Sequence, residues 1–250
     1  MPFTFSHPVI VLPLKKINKN WFSLTGLIIG SLMPDFEYFI HMRLQNVYGH
    51  SIFGIFWFCL PLGLLCCFVF HNIVRNDLFR NLPSFLKSRL IIYCEFCWNK
   101  YFLKNWFIVI LSIIIGSFSH ILWDNFTHSY GYFVKLIPLL SYEIYFRNFI
   151  IPIYKILQHS GTIIGAIIIF FIILRFPRYE NKDNIKFSIS YWGMIFLITN
   201  VSLIINLING LNIKYYGNII VIIISGFLLS IIIVPIVYKI KHLVLRITNG

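Results

Sequence analysis

Five stretches of this chain are apolar over about the length a bilayer demands, roughly 20 helical residues. They cover about 52–74, 106–124, 158–174, 190–210 and 217–238. Nothing constrains the fold more, because the backbone of a chain inside hydrocarbon must satisfy its own hydrogen bonds. The composition agrees. Hydrophobic residues make up 58% of the 250 and charged residues only 12%, against about 25% charged in a soluble domain. An ordinary soluble enzyme is excluded, and so is a disordered chain, which needs low hydrophobicity. The expected fold class is all-α: a polytopic integral membrane helical bundle with about five transmembrane helices. Pro61 is expected to kink the first of them.

The first 40 residues read differently. Residues 8–14 are apolar, Lys15, Lys16, Asn18, Lys19 and Asn20 interrupt, and a second apolar stretch, 21–34, ends in Met-Pro-Asp. This predicts a short helical hairpin with a basic tip. Residues 1–14 lack the basic n-region and small-residue cleavage site of a signal peptide. Residues 1–178 are expected to form a membrane-embedded domain carrying the site, and 179–250 two scaffold helices.

The net charge of +13 would suggest nucleic acid in a soluble chain. Here the basic residues lie in short loops, so no nucleic-acid partner is expected. Sixteen of the 21 fall in alternate loops (15–20, 75–105, 175–189 and the C-terminal tail), and five in the others. The positive-inside rule assigns the richer set to the cytoplasm. The expectation is a multi-pass protein of the bacterial cytoplasmic (inner) membrane. Residues 1–7, 35–51, 125–157 and 211–216 then face outward.

An ionisable side chain at the heart of an apolar run costs about 2.5–3.5 kcal/mol on insertion scales, so each is a candidate for function. The chain has only eight acidic residues. Three of them, Asp35, Glu37 and Asp124, lie at run ends in the company of histidines. In Ser119-His120-Ile-Leu-Trp-Asp124-Asn-Phe-Thr-His128, the three ionisable residues recur every four positions and share one helix face. His120 and Asp124, about 6 Å apart in rise, can close on one metal. His128 serves a second metal, or a helix break near Asn125 folds it back. The alternative is an interhelical hydrogen-bond cluster.

In Gly30-Ser-Leu-Met-Pro34-Asp35-Phe-Glu37, two carboxylates two residues apart need a common cation or a shared proton; the alternative is Asp35 as a helix cap. His50 in Tyr48-Gly49-His50-Ser51 and His159 in Gln158-His159-Ser160 read alone as interfacial polar caps. The hairpin brings His7 back beside Asp35. The charge-derived topology then puts His7, Asp35, Glu37, His50, His120, Asp124, His128 and His159 at one membrane face. Mixed N and O ligands without thiolate suit Zn, Mn, Fe or Ni, as one ion or a pair. His41 reads as an accessory or surface residue, His71 lies toward the far end of its helix, and His242 is expected in a solvated basic tail. Cys94-Glu-Phe-Cys97 is a lone CxxC, read as structural thiols on the reducing side.

These residues also carry a resemblance. Met1-Pro-Phe-Thr-Phe-Ser-His7-Pro, Gly30-Ser-Leu-Met-Pro-Asp35-Phe-Glu37-Tyr-Phe, Gly49-His50-Ser, the His120–His128 stretch and Leu157-Gln-His159 resemble an uncharacterised family of bacterial integral membrane proteins, known only as a domain of unknown function. The resemblance covers about residues 1–175. More distantly, the motif order is similar to the membrane-bound metal-dependent hydrolases, with their early His, Pro-Asp-x-Asp, Thr-His-Ser and His-x-x-x-Asp. That likeness implies His7, Asp35, Glu37, His50, His120 and Asp124 as metal ligands. Glu37 stands where those proteins have a second Asp, and Gly49 where they have Thr.

Three functions follow as expectations. The first is a membrane-embedded hydrolase using a divalent metal, zinc before manganese or iron. Glu37 or His159 would move the proton. Its substrate would be a lipid or lipid-linked phosphoester at the interface. The second is a metal or small-solute transporter, although neither inverted repeats nor paired interrupted helices are visible. The third is an anchoring or assembly protein whose polar cluster only holds helices together. Membrane lipids are the expected surroundings, and the sequence leaves the oligomeric state open.

Overall fold

The computed structural model describes residues 3–18, 20–147, 149–179, 188–210 and 215–248. Lys19, Lys182, Lys186 and Lys214, counted in the charge asymmetry, lie outside the described residues, as does the side chain of His242. The chain is helical almost throughout. A hairpin of α1 (Pro8–Ile17) and α2 (Leu24–Leu32) leads through a 3-10 turn, Met33–Asp35, into the short α3 (Phe36–His41). The long α4 (Ile52–Asn81) follows, then α5 (Ser84–Leu90) and the 30-residue α6 (Trp98–Thr127). Two short helices, α7 (Tyr132–Leu136) and α8 (Pro138–Ser141), precede α9 (Ile153–Leu174), α10 (Ile189–Ile208) and α11 (Tyr216–Thr248). Among the described residues, five helices are long and apolar enough to cross a membrane: those beginning at Ile52, Trp98, Ile153, Ile189 and Tyr216. The expected five-span bundle is the observed one.

The hairpin helices are too short to cross. At 10 and 9 residues each rises about 15 Å, half of a hydrocarbon core of about 30 Å. Ser23 starts α2 by accepting a hydrogen bond from the Gly26 amide, and Lys15 Nζ donates across the tip to the Phe22 carbonyl. The irregularity expected at Pro61 takes the form of a π turn over Ile55–Cys59, immediately N-terminal to it. A wide turn absorbs the N–H that proline lacks.

The chain divides into two compact units. The first comprises Met1–Phe36, Val47–Cys67 and Tyr101–Arg175. Its organising contact is the crossing of α2 and α6. Gly26 and Gly30, spaced four apart, meet Ser112 and Gly116, also spaced four apart. A Cβ on Gly26 would lie 2.8 Å from that of Ser112, and one on Gly30 would overlap the backbone of Ile113. Such small-xxx-small pairs let two membrane helices approach backbone to backbone. Polar bonds lock the crossing: Ser112 Oγ accepts from the Ser23 amide at 2.8 Å, and Ser117 Oγ donates to the Gly30 carbonyl at 3.0 Å.

The same unit holds a feature that the run analysis did not anticipate. Residues Glu143–Phe146 and Phe149–Pro152 form a two-stranded antiparallel ribbon, turned at Arg147 with φ 52°. Four-residue strands without a Gly-Asn type turn leave almost no periodic signal. Tyr145 and Phe149 stand exposed on it and Tyr142 just before it, as aromatic residues do at a membrane–water boundary.

The second unit comprises Glu37–Asn46, Phe68–Lys100 and Phe176–Gly250. Here α10 and α11 pack around Tyr191, Ile195 and Val234. Arg75 is buried and ties down the 3-10 turn Ile91–Glu95, donating to the carbonyls of Phe96 at 2.8 Å and Cys94 at 3.2 Å. Its Nη1 also lies 2.9 Å from His71 Nδ1, and the His71 ring stacks on Trp98. Cys94 and Cys97 are free thiols. Burial raises the Cys94 pKa, which suits a structural thiol better than a nucleophile.

Candidate metal centre

The α2–α6 crossing decides where the ligands fall. It seats His120 against the end of α2, where Nδ1 lies 2.7 Å from the Ser31 carbonyl and donates to it. That bond fixes the tautomer and turns the Nε2 lone pair inward, as an outer-sphere carbonyl does for metal-binding histidines. Nε2 is fully buried and has no hydrogen-bond partner. One residue past Pro34, Asp35 presents its carboxylate to the same point. Thr4 Oγ1 donates to Asp35 Oδ2 at 2.5 Å and leaves Oδ1 to the cluster. His50 arrives from the loop before α4, which lies flush on the 3-10 turn because Gly49 has no Cβ to strike the Pro34 carbonyl. Asp124 comes one turn after His120, on the helix itself.

The four ligand atoms lie within 4.8 Å of one another. Asp35 Oδ1 is 3.4 Å from His50 Nε2 and 3.5 Å from His120 Nε2. Asp124 Oδ2 is 3.0 Å from His50 Nε2 and 3.4 Å from His120 Nε2. A tetrahedral ion with N and O ligands at about 2.0–2.2 Å needs ligand-to-ligand edges of about 3.4 Å. These four edges fit, and the remaining two are no longer than 4.8 Å. Burial disfavours charge on Asp35, but His120 and His50 outweigh it and hold the carboxyl well below the usual range. Burial likewise opposes charge on His50, yet its hydrogen bonds to Asp124 and Asp35 raise its pKa. The arrangement, three of its four residues buried, can hold a divalent cation.

Two further predicted residues, His7 and His128, adjoin the four. His7 is buried and stacks face to face on His120, ring centroids 3.7 Å apart. Burial and, next, the proximity of His120 push its pKa down to about 3, so the ring is neutral and able to ligate. His128 Nδ1 lies 3.5 Å from Asp124 Oδ1. No break occurs at Asn125: α6 runs on to Thr127, and the His128 amide still bonds to the Asp124 carbonyl. Glu37 is buried in the second unit, its Oε1 3.9 Å from His41 Nε2 one turn along. His159 is exposed.

Sequence reasoning missed Thr4 and Gln158. Gln158, beside the predicted His159, is the buried member of the pair, and its Nε2 lies 2.9 Å from His128 Nε2. A signal existed. Gln158, Gly161 and Gly165 recur at helical spacing, and both glycines lie close to neighbours, Gly161 to Trp123 and Gly165 to Ser6. That stripe marks the inward face of α9, and Gln158 belongs to it. For Thr4, a lone hydroxyl near the start of the chain, there was none.

A cavity of about 240 Å³ adjoins the cluster, lined by His7, Val9, Ile10, Trp123, Leu157 and Ile164 together with small residues of α9. The hydroxyls in its wall are satisfied by their own backbone: Ser6 Oγ donates to Phe3, Ser160 Oγ to Leu157 and Thr162 Oγ1 to Gln158. The wall is therefore apolar in effect, with the His7 ring as its polar point.

Fold and site together define a polytopic membrane-helix protein with a buried His/Asp cluster able to hold a metal ion. The chain belongs to the DUF4184 family, a domain of unknown function, whose model matches residues 1–236. No curated protein and no solved structure matches it.

Proposed function

We propose that this protein is a membrane-embedded, metal-dependent hydrolase whose ion is held by Asp35, His50, His120 and Asp124. The observation that carries the reading is the set of four ligand atoms, two on imidazoles and two on carboxylates, all within 4.8 Å of one another. When bound, a divalent ion would supply Lewis acidity and lower the pKa of a water on it to about 7. The donor set suits zinc first, then manganese or iron. Ser31 orients His120, Thr4 orients Asp35, and the flush fit of Gly49 on Pro34 places His50.

The substrate class is a lipid or lipid-linked phosphoester. The apolar cavity beside His7 suits an alkyl chain, and exposed aromatics on the ribbon and at Tyr130 suit an interfacial position. The loop charges argue for the extracytoplasmic face of a bacterial cytoplasmic membrane.

The test is elemental analysis of the full chain purified in detergent, wild type against His120→Ala/Asp124→Ala. This is followed by hydrolysis of phospholipid phosphoesters in mixed micelles. The expected result is at least one equivalent of metal per wild-type chain, lost in the variant along with hydrolysis. A wild type that stays metal-free after reconstitution with Zn, Mn and Fe refutes the reading and leaves a polar helix clamp. Bound metal that moves across proteoliposomes, with no hydrolysis, makes the cluster a transport site.

A further inference from the structure

We propose that Asp124 bridges two cations, and that His7, Asp124 and His128 form a second metal site with one coordination position open. The inference deepens the hydrolase reading and rests on it for the first ion.

The two oxygens of Asp124 face different partners. Oδ2 meets His50 and His120 at 3.0 and 3.4 Å. Oδ1 points the other way, 3.5 Å from His128 Nδ1 and 4.0 Å from His7 Nε2. Buried carboxylate oxygens and imidazole nitrogens are ordinarily hydrogen-bonded. Yet Asp124 Oδ1 and both nitrogens of His7 are buried without a hydrogen-bond partner. These separations approach the ligand edges of about 3.4 Å expected around one ion. A carboxylate that spans two sites in this way sets ions about 3.5–4 Å apart, the spacing of two-metal hydrolytic centres.

Gln158 supplies the support that such a histidine needs. Its side-chain amide abuts His128 Nε2 at 2.9 Å. His128 Nδ1 also lies 3.2 Å from the Asp124 carbonyl, a bond in which only the nitrogen can donate; ligation through Nδ1 replaces that bond, with Gln158 turned so that its carbonyl accepts from Nε2–H. The two sites then differ in kind. The first has four protein ligands, so an ion there would take a water only by widening to five ligands. The second has three, the number found in catalytic sites that keep a position for an exogenous ligand. His7 is a ligand of the second site and also lines the apolar cavity. Two divalent ions against the carboxylates of Asp35 and Asp124 leave an excess of positive charge. The substrate class that fits carries an anionic head on an apolar tail.

The experiment is Mn(II) binding to the detergent-purified full chain, by equilibrium dialysis and electron paramagnetic resonance. Wild type is expected to bind two ions with a spin-coupled signal. His7→Ala and His128→Ala are each expected to bind one ion, with the signal of an isolated Mn(II). Because His7 stacks on His120 and its loss can disturb folding, Gln158→Leu is the second probe. It should weaken one of the two ions by about 10–100-fold and leave the other unchanged. A single ion in wild type, lost in His120→Ala, overturns the second site and leaves the first standing. Two ions retained in both His7→Ala and His128→Ala also overturn it. No Mn(II) in any form overturns both proposals.

Discussion

Gly49 lies so close against the carbonyl of Pro34 that the Cβ of any other residue would overlap that oxygen. The contact joins two loops distant in sequence and carries one ligand on each: Asp35 follows Pro34 and His50 follows Gly49. The distance of 3.4 Å between Asp35 Oδ1 and His50 Nε2 is set by it. Gly49→Ala should push the loops apart at a cost of about 1–3 kcal/mol in stability, the usual range for overpacking. It should also weaken metal binding by at least tenfold. Thermal unfolding and a metal isotherm on the same preparation check both. Unchanged affinity would mean that His50 reaches the cluster without this support.

The α2–α6 crossing makes a second prediction. Gly30→Ala and Gly116→Ala each insert a methyl group where only backbone now fits. Each should lower the unfolding temperature of the detergent-solubilised protein. Gly30 and Gly116 share one interface, so the double variant should lose less than the two single losses combined. Strict additivity would indicate two independent contacts.

A third prediction concerns pH. Burial pushes the His7 pKa from 6.5 to about 3, with His120 adding to the effect. Between those values the unfolded chain binds this proton and the folded chain does not, so stability rises with pH across the window. Chelator-treated wild type should therefore lose thermal stability as the pH falls from 6.5 toward 3. His7→Phe should show a shallower dependence. Parallel curves would place the His7 ring in water.

Thr4 and His159 make a matched pair for the fourth. Thr4 Oγ1 donates to Asp35 Oδ2, whereas the His159 side chain is exposed. Thr4→Val keeps the shape and removes the donor. It should lower metal affinity by about 10–100-fold, the usual effect of losing a group that orients a ligand. His159→Ala should leave affinity unchanged. A reversed order would put His159 at the centre.

The sequence made the bundle legible because hydrocarbon imposes a length and an apolarity that few other environments require. The cluster was legible for the same reason. Asp35, His120 and Asp124 are costly at the ends of apolar runs and therefore conspicuous, and a four-residue spacing put two of them on one face. Thr4 and Gln158 were hidden because uncharged polar side chains near a helix end cost little and are common. The ribbon at 143–152 was hidden because its strands are too short to show a period. The approach of α2 to α6 was written in Gly26, Gly30, Ser112 and Gly116, but two small-residue pairs do not say which helix faces which.

The ligands Asp35 and His50 lie in the first fifty residues, whereas His120 and Asp124 wait on α6, some seventy residues later. During synthesis the early half of the cluster therefore exists before there is anything for it to share a cation with. Ion capture would then be a late event, open only to a chain in which α6 has joined the first two ligands. The metal would serve as a clasp on a finished membrane topology, and chelation during expression would catch the protein before it closes.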